Sequence, residues 1–477
     1  MSRFSPVLTM RFGLFAACFF LVFRVMASQP ALAAPAATGS GWSGTEATAD
    51  TSQSAPMTLE QAFERALQHN HAIRIERLTE EQARNDISRG NAGQLPVIEL
   101  SGSAELSRNN TDLELANFDD PAAGNTAITV NGAESRTFEA GVNLRYTLFD
   151  GFSGRYRFRQ LQQLGSLAEL STRITIEQTL FEVAQRYFQV LEAKEQLEIE
   201  RENLRSSELR LDFTRDARQF GNARQLDVLN AEVNTGNDQI RVEEARNALT
   251  EAWRALQLLL GMEISRDDQT PALHTGYEPD AGLILDTLLQ SALERNVRVM
   301  LSQSELSLAE VQRQLAGTGR FPELSLQGRY GYLNQENDAN QLHTLEQNGF
   351  SASVNLRYVL FNGFTTRRTI ENAAIERRSR EENRIQVLRS VETDVLNSWS
   401  ALQTQQRALR LSEQTVSAAE LQFQEAQEAA RQGRVTAIEL RDAQLTLLEA
   451  RLQQTRIRQA LRLREIELLL LSGMMDI

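Results

Sequence analysis

The sequence predicts an α+β membrane protein. Long amphipathic helices run into membrane-crossing β-strands, four strands per chain, and the whole is written as two internal repeats. Three observations carry this. The phrase VNLRYTLFDGF at 142–152 returns as VNLRYVLFNGF at 354–364, identical at nine of eleven positions and displaced by 354 − 142 = 212 residues. No proline stands between Pro121 and Pro271 or after Pro322, and a proline inside a helix costs about 3 kcal/mol. Ahead of each proline-free stretch the apolar period switches from helical spacing to strict alternation.

The chain opens on Arg3 and Arg11, an apolar run from Phe12 to Phe23, and Ala31-Leu32-Ala33. That order fits a secretory signal over residues 1–33. A membrane anchor is the alternative, but the run is about half the length of a spanning helix. The only cysteine, Cys18, lies in this run, so the mature chain would hold no thiol. Phe15-Ala16-Ala17-Cys18 faintly resembles a lipoprotein cleavage box, which makes lipidation at Cys18 the minor alternative. Residues 34–56, rich in Ala, Gly, Ser and Thr, read as a flexible lead-in. The two repeats then occupy 57–270 and 271–477.

Formal charge is −13 over 477 residues. Without Arg3, Arg11 and Arg24 it becomes −13 − 3 = −16. Lys194 is the only lysine, so nearly all positive charge is arginine. So acidic a chain has no general attraction to nucleic acid.

The repeat extends well past its opening phrase. ALQHN from Ala66 matches ALERN from Ala292, and Leu95-Pro96 matches Phe321-Pro322, both displaced by 226. From Val142 onward the displacement is 212: Gly221 falls on Gly433, and Gly261-Met262 on Gly473-Met474. The one length change, 226 − 212 = 14 residues, therefore falls between Pro96 and Val142. Exposed loops absorb insertions that a helix in fixed register cannot. A loop over Ser107–Arg136 is expected to carry them. It holds Asp112, Glu114, Asp119, Asp120 and Glu134, and is expected to be extracellular, acidic and mobile.

Helical spacing is plain from Phe152 to Phe220, where Leu180, Ala184, Tyr187 and Leu191 step by four, three and four. This is an amphipathic helix with a near-heptad seam. Gly221-Asn222 closes it, and Arg224–Leu260 returns. The second repeat predicts Phe364–Gln432, a turn at Gly433, and Thr436–Leu471. Shorter helical segments, Leu59–Gln94 and Leu285–Leu315, precede the strands. A 69-residue rod is roughly 100 Å long and a 37-residue segment roughly 55 Å. Two short pieces stacked end to end match one rod, which suggests a cylinder wall.

Alternation marks the strands. Ile98, Leu100, Ala104 and Leu106 alternate with Glu99, Ser101, Ser103 and Glu105, and Phe138, Ala140, Val142, Leu144 and Tyr146 with Glu139, Asn143 and Arg145. The second repeat supplies Leu324, Leu326, Tyr330 and Tyr332, then Phe350, Ala352, Val354, Leu356 and Tyr358. Each strand reads as about ten residues, enough to cross a bilayer with tilt. Aromatics gather at the strand ends: Tyr146, Phe149 and Phe152, then Tyr358, Phe361 and Phe364. That is the pattern of an interfacial girdle. A half-exposed sheet on a soluble core is the competing reading. Four strands cannot close a barrel in lipid, where open edges are not tolerated. Two copies give eight strands and a bore filled by side chains; three give twelve and suit the polar inner face.

Two halves that each read helix, hairpin, long helix, Gly turn and returning helix resemble the TolC-like outer-membrane efflux proteins, the outer membrane factors. The most specific pieces are LFDGF and LFNGF at the joints, and QFGNARQLDVLNAE and RQGRVTAIELRDAQ at the turns. The likeness runs from about Met57 to Met474. It implies a homotrimer: a twelve-stranded outer-membrane barrel continuous with a periplasmic α-helical tunnel. It implies a conduit rather than an enzyme, without cofactor. It also implies a periplasmic adaptor (membrane-fusion) protein and an inner-membrane pump of ABC or RND type. Export of small molecules and type I secretion of proteins both use this design.

By the same resemblance, the turn residues Gly221, Asn222, Gly433 and Arg434 face the adaptor. Glu439 and Asp442 line the periplasmic entrance, with Asp227 the first-repeat equivalent of Glu439. The joints are Asp150-Gly151 and Asn362-Gly363, where Asp150 or Asn362 caps the long helix and the glycine frees the bend. Some relatives carry a Tyr and an Arg near the second turn that help hold the entrance shut. Ala430 and Val435 stand at those places here, so an inherited latch is not expected in that form.

Little else suggests chemistry. His69, His71, His274 and His343 have no further ligands near in sequence. GTGRF at 317–321 precedes a strand, so it is no nucleotide fingerprint. The alternative to a channel is a periplasmic coiled-coil tether without a pore.

Overall fold

In the computed structural model, residues 56–115, 126–221, 223–264, 266, 273–274, 282–338, 343–432 and 434–475 are described. The expected signal and nearly all of the lead-in, Cys18 included, lie outside them. So do Asn222, Gly433, Asp119, Asp120 and the side chain of Glu114.

The first repeat runs α1 (Leu59–His69), α2 (His71–Asp86), β1 (Val97–Leu115), β2 (Thr126–Phe149), α3 (Ser153–Gln219) and α4 (Gln225–Leu259). The second runs α5 (Leu285–Arg295), α6 (Val297–Thr318), β3 (Glu323–Asn337), β4 (Thr344–Arg357), α7 (Thr365–Arg431) and α8 (Ala437–Leu471). Both rods, α3 and α7, have 67 residues, and both returning helices, α4 and α8, have 35. All four match the sequence reading to within about one residue at each end. The rods are roughly 100 Å long.

The shorter segments differ from expectation. Each is two helices rather than one, broken at Asn70 and at Asn296, its repeat equivalent (70 + 226 = 296). Asn70 takes extended backbone, and its side-chain oxygen caps α2 by accepting from the amides of Ala72 (2.8 Å) and Ile73 (3.2 Å). Its Nδ2 donates to the Leu259 carbonyl at 2.8 Å. Asn296 caps α6 through the Arg298 amide and donates to the Leu471 carbonyl at 2.9 Å. The break thus satisfies a buried asparagine and an end carbonyl of the returning helix together. ALQHN and ALERN are the sequence marks of this joint. Gly261 and Gly473 complete it, both at positive φ: a Cβ on Gly261 would stand 2.5 Å from the His69 carbonyl oxygen, and one on Gly473 2.9 Å from Arg295 Cβ.

The strands are also longer than ten residues, at 19, 24, 15 and 14. They form one antiparallel sheet in the order β1-β2-β3-β4. The 14 extra residues are largely strand, not the expected loop. β1 and β2 stay paired from Val97↔Arg145 out to Leu115↔Thr126, with an irregularity at Asn109/Thr111. There Gly132, at positive φ, donates its amide to the Asn110 side chain. Backbone pairing continues past the apolar alternation because ladder hydrogen bonds do not depend on side-chain polarity.

The main core lies where α1, α3, α4 and α8 meet, around Tyr187 and Trp253. The buried Tyr187 hydroxyl is 2.8 Å from the carbonyl oxygens of both Met57 and His274. It thereby ties the start of the first repeat to the inter-repeat segment, where Met57 and Leu273 bridge in parallel. Burial pushes its pKa up to about 12. A second core joins α5, α6, α7 and α8 around Val391 and Leu468.

Candidate functional site

Pairing sorts the sheet into two faces. Leu100, Val142, Tyr330 and Phe350 stand side by side across all four strands, flanked by the Ile98, Leu144, Gly328, Ala352 row. Phe350 is 73% and Leu356 70% exposed, so this apolar face has no cover among the described residues. On β1 it runs from Ile98 to Leu106. Nine residues at about 3.3 Å span roughly 30 Å along the strand, and tilt brings that near the roughly 25 Å apolar band of a membrane barrel. The opposite face carries the rows Glu99, Asn143, Arg329, Ser351 and Ser101, Gly141, Gly331, Gly349.

At one end of the sheet, β2 and β4 hand over to α3 and α7 through two consecutive left-handed residues each. Gly151 and Phe152 have φ of 66° and 70°; Gly363 and Phe364 both have 65°. The sequence reading gave the bend to glycine alone, but phenylalanine shares it. Positive φ is uncommon for a bulky residue, and here each ring stacks edge-on against Phe149 or Phe361. Asp150 Oδ2 accepts from the Gly154 amide at 2.5 Å. Asn362 engages Thr366 through both its amide oxygen (3.5 Å) and nitrogen (2.8 Å).

At the far end of the rods, Gly221 turns at φ 76°, and the Arg434 amide donates to the Ala429 carbonyl. Asp227 and Glu439 serve their own helices. Glu439 Oε2 accepts from the Thr436 amide (2.7 Å) and hydroxyl (3.0 Å), and these bonds hold its carboxyl below the usual range. Asp227 accepts from the side chain and backbone amide of Arg224, with the same result. Both stay anionic at the positive end of a helix. Asp442 is exposed one turn beyond Glu439.

Sequence reasoning missed a buried polar junction between α3, α4 and α8. Arg441 forks onto Asp238 with bonds of 2.8 and 2.7 Å, and Ser207 donates to the same carboxylate at 2.6 Å. Gln444 donates to Asn203 Oδ1 at 2.6 Å. Asp238 is fully buried, as is most of Arg441. Burial pushes the Asp238 carboxyl up, but hydrogen bonds from Arg441 and Ser207, with the charges of Arg441 and Arg241, hold it below its usual value. Burial raises neighbouring Glu200. Three further pairs continue the seam from α8 to α3: Arg451–Glu202, Arg456–Glu192 and Arg458–Glu195. The excess of arginine over lysine was the available signal, since guanidinium suits bidentate, partly buried pairing.

The model of the family described as outer membrane efflux protein matches residues 62–262 and 288–474. The chain belongs to that family. Among relatives of this efflux protein, the outer membrane protein TolC of Vibrio cholerae is 26% identical over 324 residues, 66% of this chain and 72% of TolC. The cation efflux system protein CusC of Escherichia coli K12 is 23% identical over 408 residues, 84% of this chain and 83% of CusC. The fold is shared with solved channels. A crystal structure of CusC superposes with TM-score 0.66 at 21% identity, covering 87% of this chain and 92% of CusC. Campylobacter jejuni CmeC gives 0.68 at 16% identity, covering 87% of this chain and 85% of CmeC. The efflux protein is thus an outer-membrane channel protein whose helices extend into the periplasm, as the sequence resemblance implied, and not a tether without a pore.

Proposed function

We propose that three copies of this chain close one conduit, with twelve strands across the outer membrane and their rods and returning helices forming a periplasmic tunnel. The conduit serves a tripartite export system. An adaptor protein docks on the tips at Gly221, Asn222, Gly433 and Arg434, and an inner-membrane pump of ABC or RND type drives small molecules or unfolded protein through. Glu439, Asp442 and Asp227 line the entrance, where gathered carboxylates attract cations. The junction at Asp238 and Arg441 holds α8 on α3 and α4.

One observation carries the closure: equivalent places in the two repeats are covered unequally. A Cβ on Gly151 would stand 2.7 Å from Phe321 Cβ, whereas one on Gly363 would meet nothing within 4 Å among the described residues. β2 runs to Phe149, but β4 stops at Arg357, the equivalent of Arg145, leaving Leu360 87% exposed. The second repeat lacks the neighbour that the first already has.

The repeat also supports a register for the missing pair. β1–β2 pairing (Val97↔Arg145) maps onto β3–β4 pairing (Glu323↔Arg357) by the shifts 226 and 212. Applied to Asn143↔Arg329 of β2–β3, the same shifts pair Asn355 with Ser103 of the next copy. Cα atoms so paired lie about 4.5–5.5 Å apart, within disulfide reach. Asn355→Cys with Ser103→Cys is expected to give a covalent trimer on oxidation. Asn355→Cys with Ser107→Cys, about 13 Å out of register, is not. The wild type is expected to conduct in planar bilayers; a monomer soluble without detergent would sink the proposal.

A further inference from the structure

One level of the polar face is nearly bare. Ser101, Gly141, Gly331 and Gly349 lie side by side there, one from each strand. Glycine weakens a strand interior and marks places where something approaches the backbone closely. Here it is Arg329, whose side chain folds back over the row. A Cβ on Gly331 would stand 3.1 Å from Arg329 Nε, and one on Gly141 3.6 Å from it. The guanidinium then pairs with Glu139, one row further along. The duplication did not bring this arrangement. By the repeat shifts, Ser103 answers to Arg329, Ser351 to Glu139, Glu105 to Gly331 and Ser353 to Gly141.

We infer that the glycine row is a recess holding Arg329 flat on the bore wall, and that Glu139 decides how this level of the bore treats anions. This rests on the barrel reading above, in which the polar face lines the bore. Paired with Glu139, Arg329 adds neither bulk nor net charge. Released, it is a permanent cation with a planar fork suited to carboxylate, sulfonate and phosphate groups. Three copies place three such arginines at one level. Glu139 is a positioning residue, and Arg329 is the group that meets the solute.

A thiol placed in the row reads the local charge. Ser101→Cys can be introduced into the full chain, whose one native cysteine, Cys18, falls within the expected signal. In liposome-reconstituted protein, its reaction rates with an anionic and a cationic methanethiosulfonate reagent are compared. Glu139→Gln is expected to raise the anionic-to-cationic rate ratio about fivefold, the scale of one unit charge several ångströms away in a wet bore. With Arg329→Gln also present the rise is expected to be clearly smaller, because only the carboxylate's own charge is then lost and no guanidinium is freed to settle beside the thiol. An equal rise in both backgrounds would overturn the inference, since loss of the carboxylate alone would explain it. So would an unchanged ratio with both reagents reactive, which leaves the barrel reading intact. If neither reagent reacts, the face is not wetted and both ideas fall.

Discussion

The two repeats have rods of equal length and joints of the same shape, yet they are buried very differently. Eighteen residues of α3 are buried and only seven of α7. The difference is one of position. α3 packs against α1, α2, α4, α6 and α8, from both repeats, whereas α7 packs on α5, α6 and α8 of its own. Asymmetry between equivalent places therefore maps the surface awaiting another copy. The polar junction is one-sided too. Asp238 answers to Ala450, Arg441 to Leu229 and Ser207 to Ala419 (each displaced by 212), so α3 and α4 grip α8 through a charged cluster that has no counterpart at the equivalent places.

The largest test of that difference is Asp238→Ala, which leaves the Arg441 guanidinium buried without its partner. It is expected to cost about 3–5 kcal/mol, read by denaturant unfolding in detergent. A loss below about 1 kcal/mol, the scale of an exposed pair, would mean water already reaches the junction. Next come Val142→Arg and Val354→Arg, equivalent places on the apolar face. An arginine at the bilayer midplane costs about 2–4 kcal/mol, so both are expected to deplete assembled protein from outer-membrane fractions. Tolerance of Val354→Arg alone would show that this face of β4 does not meet lipid, against the twelve-stranded barrel.

Gly151→Ala and Gly363→Ala sharpen the comparison at the joints. Positive φ strains alanine in both by roughly 1–2 kcal/mol, but only Gly151 faces backbone and side chain of its own chain, with the Thr318 carbonyl oxygen 2.9 Å from the added Cβ. Thermal denaturation of monomer is expected to show the larger loss for Gly151→Ala. In assembled protein the gap is expected to close as the next copy covers Gly363.

The smallest effect concerns Glu200, buried where the second repeat has Ser412. Burial raises its folded pKa above the unfolded value. Its contribution is therefore favourable in acid, when protonated, and is lost as pH rises through the folded pKa. Glu200→Gln is expected to raise the melting temperature at pH 7, with the advantage shrinking toward pH 4. A constant advantage across that range would remove ionisation as the cause.

Both rods, both returning helices, the four strands and the repeat were legible in the sequence, because each is written as a local period or a copied phrase. Helical spacing or alternation sets the element, and glycine with its neighbours ends it. The helix breaks at Asn70 and Asn296 were not read, although ALQHN and ALERN marked them, because the asparagine's partner carbonyl lies 189 residues away at Leu259. Strand length was underestimated because alternation tracks the apolar band, while pairing between β1 and β2 continues beyond it.

What the sequence determined by itself was the rods, the returning helices and the strands, their order and the apolar face of the sheet, all from patterns within a few residues, together with the duplication, read from copied phrases. Tertiary structure alone decided which arginine meets which carboxylate: Asp238 and Arg441 are 203 residues apart, and Glu139 and Arg329 sit on paired strands of different repeats. It also decided which of two near-identical joints is covered. Local periodicity fixes the faces of helices and strands, but burial and charge pairing depend on which faces meet, and only the packed chain sets that.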